Sequence, residues 1–334
     1  MTTHTLPAPP AALGATPHAP HAPHAPPALR PSIGAGVWRV ADPKITLASV
    51  ASMIVGATAA AHDGPVAWGW LALTVLGIFA VEAAKNASGE IFDWDSGADQ
   101  GVTDEERSPF SGGKRVIVDG LLTRRQTALV AAGFYVIAIA AGLAIVLLRE
   151  PAVLWLGMAG VGLAFFYHAP PFQLAYRGFG ELAVALSYGP IIAAGTYLVQ
   201  RHDVSAGVLW ASLPLGLAVG AFLWINEFPD ARADAAAGKR TLVVRLGRPR
   251  AAWAFAVLCA VAFAAVAALP ATGLPPAVWL GGLGLPHAVA AAGRVVRFPD
   301  TPRELIPAQA WTLLAFVLMA VGLGAGLVLD ATLG

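Results

Sequence analysis

Charge and cysteine are what this 334-residue sequence has least of: 12% of its residues are charged and one is Cys, against 57% hydrophobic residues. A lone Cys259 inside an apolar run forms no intramolecular disulfide, which excludes a disulfide-stapled fold and argues against redox chemistry. It reads as a small buried hydrophobe. Soluble domains carry about 25% charged residues, so 12%, with a mean hydropathy of +0.66, excludes an ordinary soluble domain. The composition is that of an integral membrane protein, with membrane lipid as a partner and no nucleic acid expected.

Apolar runs of roughly the 17 to 25 residues that cross a bilayer fall at about 45–62, 66–87, 127–148, 151–167, 180–199, 206–226, 251–269, 276–296 and 308–329. Each is apolar all round rather than along one stripe, as expected of helices in lipid. The expectation is an all-α, polytopic membrane protein of nine transmembrane helices over residues 34–334. Of the 21 Lys and Arg, only Arg149 and Arg201 fall in the loops after the third and fifth spans. The positive-inside rule then places the N-terminus and the loops after even-numbered spans in the cytoplasm of a cell-membrane protein.

Residues 1–33 carry nine Pro and the run His18-Ala-Pro-His21-Ala-Pro-His24-Ala-Pro26. This reads as a low-complexity, disordered or polyproline II cytoplasmic tail. It has no basic start followed by an apolar core, so it does not read as a cleaved signal peptide.

Two acidic clusters stand at the ends of the second and sixth spans. In Asn226-Glu-Phe-Pro-Asp230-Ala-Arg-Ala-Asp234 the residues Asn226, Asp230 and Asp234 recur every four positions and share one helical face. Pro229 is expected to bend or end that helix. In Asn86-Ala-Ser-Gly-Glu90-Ile-Phe-Asp93-Trp-Asp95-Ser-Gly-Ala-Asp99 the face is Asn86, Glu90 and Asp93, and Gly97 breaks the pattern before Asp99. Stacked carboxylates repel one another unless a cation neutralises them. Oxygen donors without His or Cys suit a hard ion such as Mg2+, which is often completed by phosphate oxygens. A basic loop follows each cluster and repeats one tripeptide, Gly113-Lys114-Arg115 and Gly238-Lys239-Arg240. Acids beside Lys and Arg suit a polyanion, a diphosphate above all. The repeat, with Asp93 and Asp230 ending spans two and six, suggests two four-helix halves plus a ninth helix.

These residues resemble the UbiA-type superfamily of intramembrane aromatic prenyltransferases along about residues 40–329. The stretch NEFPDARADAAAGKRTLVVRLG (226–247) fits the family motif N-x-x-x-D-x-x-x-D in full. SPFSGGKRVIVDGLL (108–122) and FYHAPPFQLAYRGFGE (166–181) look most like the branch that prenylates 1,4-dihydroxy-2-naphthoate in menaquinone synthesis. The first motif departs from the family's Asn-Asp-x-x-Asp, with Gly89 and Glu90 in place of its opening Asn and Asp and with Asn86 one turn earlier as a candidate substitute.

The resemblance implies Mg2+-dependent transfer of a polyprenyl group from an allylic prenyl diphosphate to an aromatic acceptor. It assigns Glu90, Asp93, Asp99, Asn226, Asp230 and Asp234 to the metal, with Asp93, Asp230 and Asp234 central to catalysis. Lys114, Arg115, Lys239, Arg240 and Arg177 are candidates for gripping the diphosphate. Tyr167 and Tyr176 are candidates for placing the acceptor or act as interfacial anchors, and His168 is either a loop histidine or a base. Other acceptors (homogentisate, hydroxybenzoate, chlorophyllide) and a terpene cyclase of the same fold use the same machinery. A secondary transporter is the competing class, although transporters hold their sites near the bilayer midplane rather than at span ends.

Overall fold

The computed structural model describes residues 32–333. The Pro- and His-rich tail, with His18, His21 and His24, lies outside the described residues apart from its last two positions. Among the described residues the chain is helical, with one isolated bridge between Ser108 and Ser111.

The helices are α1 (Ile33–Ala41), α2 (Pro43–Asp63), α3 (Trp68–Ser96), the short α4 (Ala98–Gly101), α5 (Arg124–Leu148) and α6 (Val153–Phe166). They continue as α7 (Gly180–Leu186), α8 (Ile192–Arg201), α9 (Ala206–Ala236), the short α10 (Leu242–Leu246), α11 (Arg248–Ala268), α12 (Leu285–Arg297) and α13 (Pro302–Leu333). Starts are set by side-chain caps. Thr123 forms a reciprocal capping box with Gln126 on α5, and Ser205 accepts from the Val208 amide on α9. Arg149 donates to the carbonyls of Val199 at 2.9 Å and Gln200 at 3.2 Å, closing the end of α8.

Six helical stretches among the described residues are long and apolar enough to cross a bilayer: α3, α5, the α7–α8 unit, α9, Arg248–Thr272 and α13. The bent pair of α1 and Thr46–Asp63, with 48° between its halves, makes a seventh if taken as one span. The other two expected segments are helical but differ in kind. Helix α6 has 14 residues, which at 1.5 Å per residue is about 21 Å, short of a hydrocarbon core of about 30 Å. The run at 276–296 starts as a 3-10 helix over Pro276–Gly284 before becoming α12.

Helix α9 is the centre of the bundle, packed by α2, α7, α11 and α13, with Leu215, Ile225 and Phe228 fully buried. The helix does not end at Pro229, since α9 continues through both Pro214 and Pro229 to Ala236. Packing outweighs the lost backbone bond, since Pro229 itself is buried. Between α7 and α8 a π-helical turn spans Ser187–Ile191, with Pro190 inside it and Gly189 off the helical region at φ −97°, ψ −108°. It places the Tyr188 side chain inward, with its carbonyl taken by the Ser52 hydroxyl.

With little hydrophobic drive between helices in lipid, small residues and close backbone approach hold such a bundle. A Cβ on Gly322 would lie 2.0 Å from the Leu280 carbonyl oxygen and 2.8 Å from the Gly281 nitrogen. Gly322→Val is therefore expected to cost about 1–3 kcal/mol by overpacking, read as a lower unfolding midpoint in detergent. An unchanged midpoint would mean that the two segments do not meet this closely.

Candidate active site

Length sets the depth of the two acidic clusters. Asn226 is 20 residues beyond the start of α9 and Glu90 is 22 beyond the start of α3. At 1.5 Å per residue both stand about 30 Å along their helices, at the far edge of a hydrocarbon core. The two helix ends meet there around a polar cavity of about 210 Å3. Its walls carry Glu90 and Asp93 from α3, Asn226, Glu227, Asp230 and Asp234 from α9, and His168 from the turn after α6. Five carboxylates face three lysines, Lys85, Lys114 and Lys239, so the lining is net acidic.

The loop at 102–123 folds over this cavity because the carboxylates hold it there. Glu90 Oε1 accepts from the backbone amides of Lys114 at 2.6 Å and Arg115 at 2.9 Å, and Oε2 accepts from Val116 at 2.8 Å. Asp230 Oδ2 accepts from the Gly112 amide at 3.0 Å. Gly113 follows with φ +72°, and a Cβ there would lie 2.2 Å from Asp99 Oδ1, so only Gly lets the backbone pass. The longer Glu90, standing where the family has Asp, reaches the loop amides with both oxygens. The Asn86 amide nitrogen donates to the Val40 carbonyl at 2.9 Å rather than into the cavity. Gly89 has a visible consequence too: a Cβ there would come within 2.7 Å of the His168 ring, which occupies that space.

Both Gly-Lys-Arg tripeptides direct Lys to the cavity and Arg away from it. Lys114 lines the cavity and pairs with Asp42; Lys239 lines it 3.5 Å from Asp234 and 5.6 Å from the Tyr176 ring. Arg115 instead donates to the Asp99 carbonyl at 2.8 Å and lies 3.4 Å from Asp119. Arg177 and Arg240 are exposed and off the cavity wall, where their backbone groups bond to Arg245 and Tyr176. Tyr176 donates to Asp93 Oδ1 at 2.7 Å, and Tyr167 lines the cavity.

The electrostatics of the site call for a cation. Burial, with the Asp93 and Glu90 charges adding, pushes the Asp99 carboxyl up to about 9. Burial works against the Lys239 charge, yet the Asp234 and Asp93 carboxylates outweigh it and hold its pKa above the ordinary lysine value. Burial also pulls His168 down to about 4 against the opposing pull of Asp93, so the ring, 3.6 Å from Asp93, is neutral at neutral pH. Among the described residues no three His, Cys, Asp or Glu side chains are gathered as a ready-made metal cage. The donors nonetheless fit Mg2+: Asp99 Oδ2, Asn226 Oδ1 and Asp230 Oδ1 are buried oxygens without a hydrogen-bond partner among the described residues. Mg2+ is commonly held by one or two carboxylates with substrate phosphates supplying the rest.

A second cavity, about 570 Å3 and almost wholly apolar, lies between α3, α5, α6 and the α7–α8 unit. It reaches the acidic one at Lys85, Tyr167, Val184 and Tyr188, which line both. The sequence profile of the UbiA prenyltransferase family matches residues 49–304. The chain belongs to that family. Like its other members it is a prenyltransferase, and its long apolar helices make it a multi-pass membrane protein. It is 31% identical to the 1,4-dihydroxy-2-naphthoate octaprenyltransferase of Mycobacterium tuberculosis over 298 residues, 86% of this chain and 94% of that one. It is 24% identical to the Bacillus subtilis protein of the same name, covering 83% and 87% of the two chains. These similarities bear out the branch that the motifs suggested. A solved UbiA homolog from Archaeoglobus fulgidus shares the fold, with a TM-score of 0.60 at 15% identity over 89% of this chain and 99% of that one. The same homolog bound to GPP and Mg2+ gives a TM-score of 0.57 at 14% identity over 85% and 99%.

Of the UbiA-type site residues, the structure brings together Glu90, Asp93, Asn226, Asp230, Asp234, Lys114 and Lys239 on one cavity, with Asp99 against it. Sequence reasoning passed over Glu82, Lys85 and Tyr188, which adjoin it. Charged residues inside an apolar run were the available signal for the first two.

Proposed function

We propose that this chain transfers a polyprenyl group from an allylic prenyl diphosphate to 1,4-dihydroxy-2-naphthoate, with Mg2+, in menaquinone biosynthesis. One observation carries the reading: an acidic cavity adjoins an apolar one of about 570 Å3, with Lys85, Tyr167, Val184 and Tyr188 lining both. A ligand with an anionic head and an isoprenoid tail matches both halves at once. The apolar volume lies within the roughly 300–1,000 Å3 usual for ligand sites. The names of the naphthoate-specific relatives and the GPP- and Mg2+-bound homolog support the choice of acceptor, donor and ion.

In this reading Asp93, Asp99, Asn226, Asp230 and Asp234 would hold Mg2+, which when bound would supply positive charge against the departing diphosphate. Lys114 and Lys239 contact the diphosphate oxygens directly. Glu90 holds the 102–123 loop closed over the head group through three amides, keeping water from the ionising carbon. Tyr167 and Tyr188 offer ring faces at the neck, where cation–π attraction of roughly 0.5–2 kcal/mol favours the allylic cation over escape. The isoprenoid tail lies in the apolar cavity. The aromatic ring carbon attacks the cation and loses its proton, and with this acceptor carbon dioxide then leaves as a proton takes the place of the carboxylate on the ring. The nine apolar segments over residues 34–334 are read as two four-helix halves plus a ninth helix, with the short α6 and the 3-10/α12 segment as the two that depart from full-length spans. The active-site mouth and N-terminus face the cytoplasm in this reading, which the placement of Lys and Arg in the loops supports.

The acceptor is tested by incubating purified protein with Mg2+, a panel of prenyl diphosphates and a panel of aromatic acceptors, with products identified by mass. Prenylated product from 1,4-dihydroxy-2-naphthoate is expected, and chelation of Mg2+ is expected to abolish it. Product only with another phenol would overturn the acceptor and leave the site.

A further inference from the structure

The residues shared by the two cavities include an ionisable cluster that the diphosphate site does not use. Helix α3 places Glu82 and Lys85 one turn apart within its apolar length. Ser49 donates to Glu82 Oε2, and the Tyr188 hydroxyl donates to Glu82 Oε1 at 3.2 Å, so both carboxylate oxygens are engaged by neutral groups. Lys85 Nζ donates to the Tyr188 hydroxyl at 3.3 Å and stands 5.8 Å and 5.9 Å from the centroids of the Tyr188 and Tyr167 rings. It is the one cation among the described residues lining the apolar cavity, and it lines the acidic cavity as well. Ionisable groups inside a membrane span are costly and mark ligand paths. Lys114 and Lys239, by contrast, are paired with Asp42 and Asp234 on the acidic side.

We propose that Lys85 is the acceptor-recognising cation, binding the ionised carboxylate of an aromatic acid whose ring lies at the neck beside Tyr167 and Tyr188. The proposal rests on the prenyl-transfer reading. With the diphosphate in the acidic cavity and the tail in the apolar one, the reacting allylic carbon sits where they join, and an acceptor must be held within about 3–3.5 Å of it. Lys85 is the only lysine there that faces the apolar side. The engaged Glu82 and Tyr188 hold it in place and leave its remaining N–H donors for a ligand. The ligand class that follows is an aromatic carboxylate, as opposed to an uncharged phenol.

Binding tests this without turnover. Tryptophan-fluorescence titration of the purified full chain would compare 1-hydroxy-2-naphthoate with 1-naphthol, which lacks the carboxylate. Wild type is expected to bind the carboxylate about 10- to 100-fold more tightly, the range of a charge-assisted hydrogen bond. Lys85→Met should erase that preference and Lys85→Arg should keep most of it. Should Lys85→Met fail to fold because Glu82 is left buried without its counter-charge, the double variant Glu82→Gln/Lys85→Met removes both charges, and it is expected to bind both probes equally. Equal binding of the probes by wild type, or a preference that survives loss of Lys85, overturns the proposal. A Lys85-dependent preference in a protein that forms no prenylated product with any acceptor would instead sink the prenyl-transfer reading and leave the carboxylate site standing.

Discussion

Alanine at Asp230 or Asp234 is expected to lower turnover by at least about 10^3-fold, the upper range for losing one preorganised electrostatic group, while the chain still inserts and folds. Two facts make the loss catalytic rather than structural. Asp230 Oδ1 has no partner within the protein, and Asp230 Oδ2 holds the single amide of Gly112. Asp234 meets only Lys239, at 3.5 Å, and stands among carboxylates that repel it. Truncating Asp230 trades one amide contact for relief of like-charge crowding, so its unfolding midpoint should hold, whereas Asp234→Ala leaves Lys239 with Asp93 as its main counter-charge and is expected to lower the midpoint modestly without unfolding the chain. Initial rates of diphosphate release, with detergent size-exclusion profiles beside them, separate the outcomes. Wild-type rates from either variant would remove the carboxylate face from the mechanism.

Glu90→Ala gives the second large effect by a different route. Three backbone amides, the buried one of Val116 and the part-buried ones of Lys114 and Arg115, lose their acceptor at once. At about 1–3 kcal/mol for each unsatisfied group, loop closure fails. Turnover is expected to fall roughly 100-fold, the equivalent of about 2.7 kcal/mol, and limited proteolysis should newly cut within 102–123. Glu90→Gln keeps one acceptor oxygen and should fall between. A loop that stays protected in Glu90→Ala, with a weakened response to Mg2+, would return Glu90 to the metal ligands that its place in the motif suggests.

What the sequence made legible follows from solvent. Carboxylates at the ends of apolar runs are out of place in any other reading, so Asp93, Asp230 and Asp234 stood out before their helices were known to meet. Helical spacing then put Asn226, Asp230 and Asp234 on one face, as observed along α9. The basic residues were less readable because a cytoplasmic loop collects Arg whether or not it binds anything. Arg177 and Arg240 proved exposed, while the Lys of each repeated tripeptide lines the cavity. Each apolar run is helical, but hydropathy missed the short α1, α4 and α10 and did not give the helix type, since the 3-10 run at Pro276–Gly284 and the π turn at Ser187–Ile191 depend on packing. Nor could a motif comparison show that Gly89 yields its space to His168, a contact between residues 79 positions apart.

The central claim is that the acidic cavity ionises an allylic prenyl diphosphate whose tail occupies the apolar one. Release of inorganic diphosphate by purified protein in detergent, from a polyprenyl diphosphate and 1,4-dihydroxy-2-naphthoate with and without Mg2+, tests it most directly. The account predicts release that requires Mg2+ and matches prenylated naphthoate mole for mole. A protein that leaves the diphosphate intact under these conditions, yet carries it across sealed vesicles, would contradict the account and make the chain a transporter.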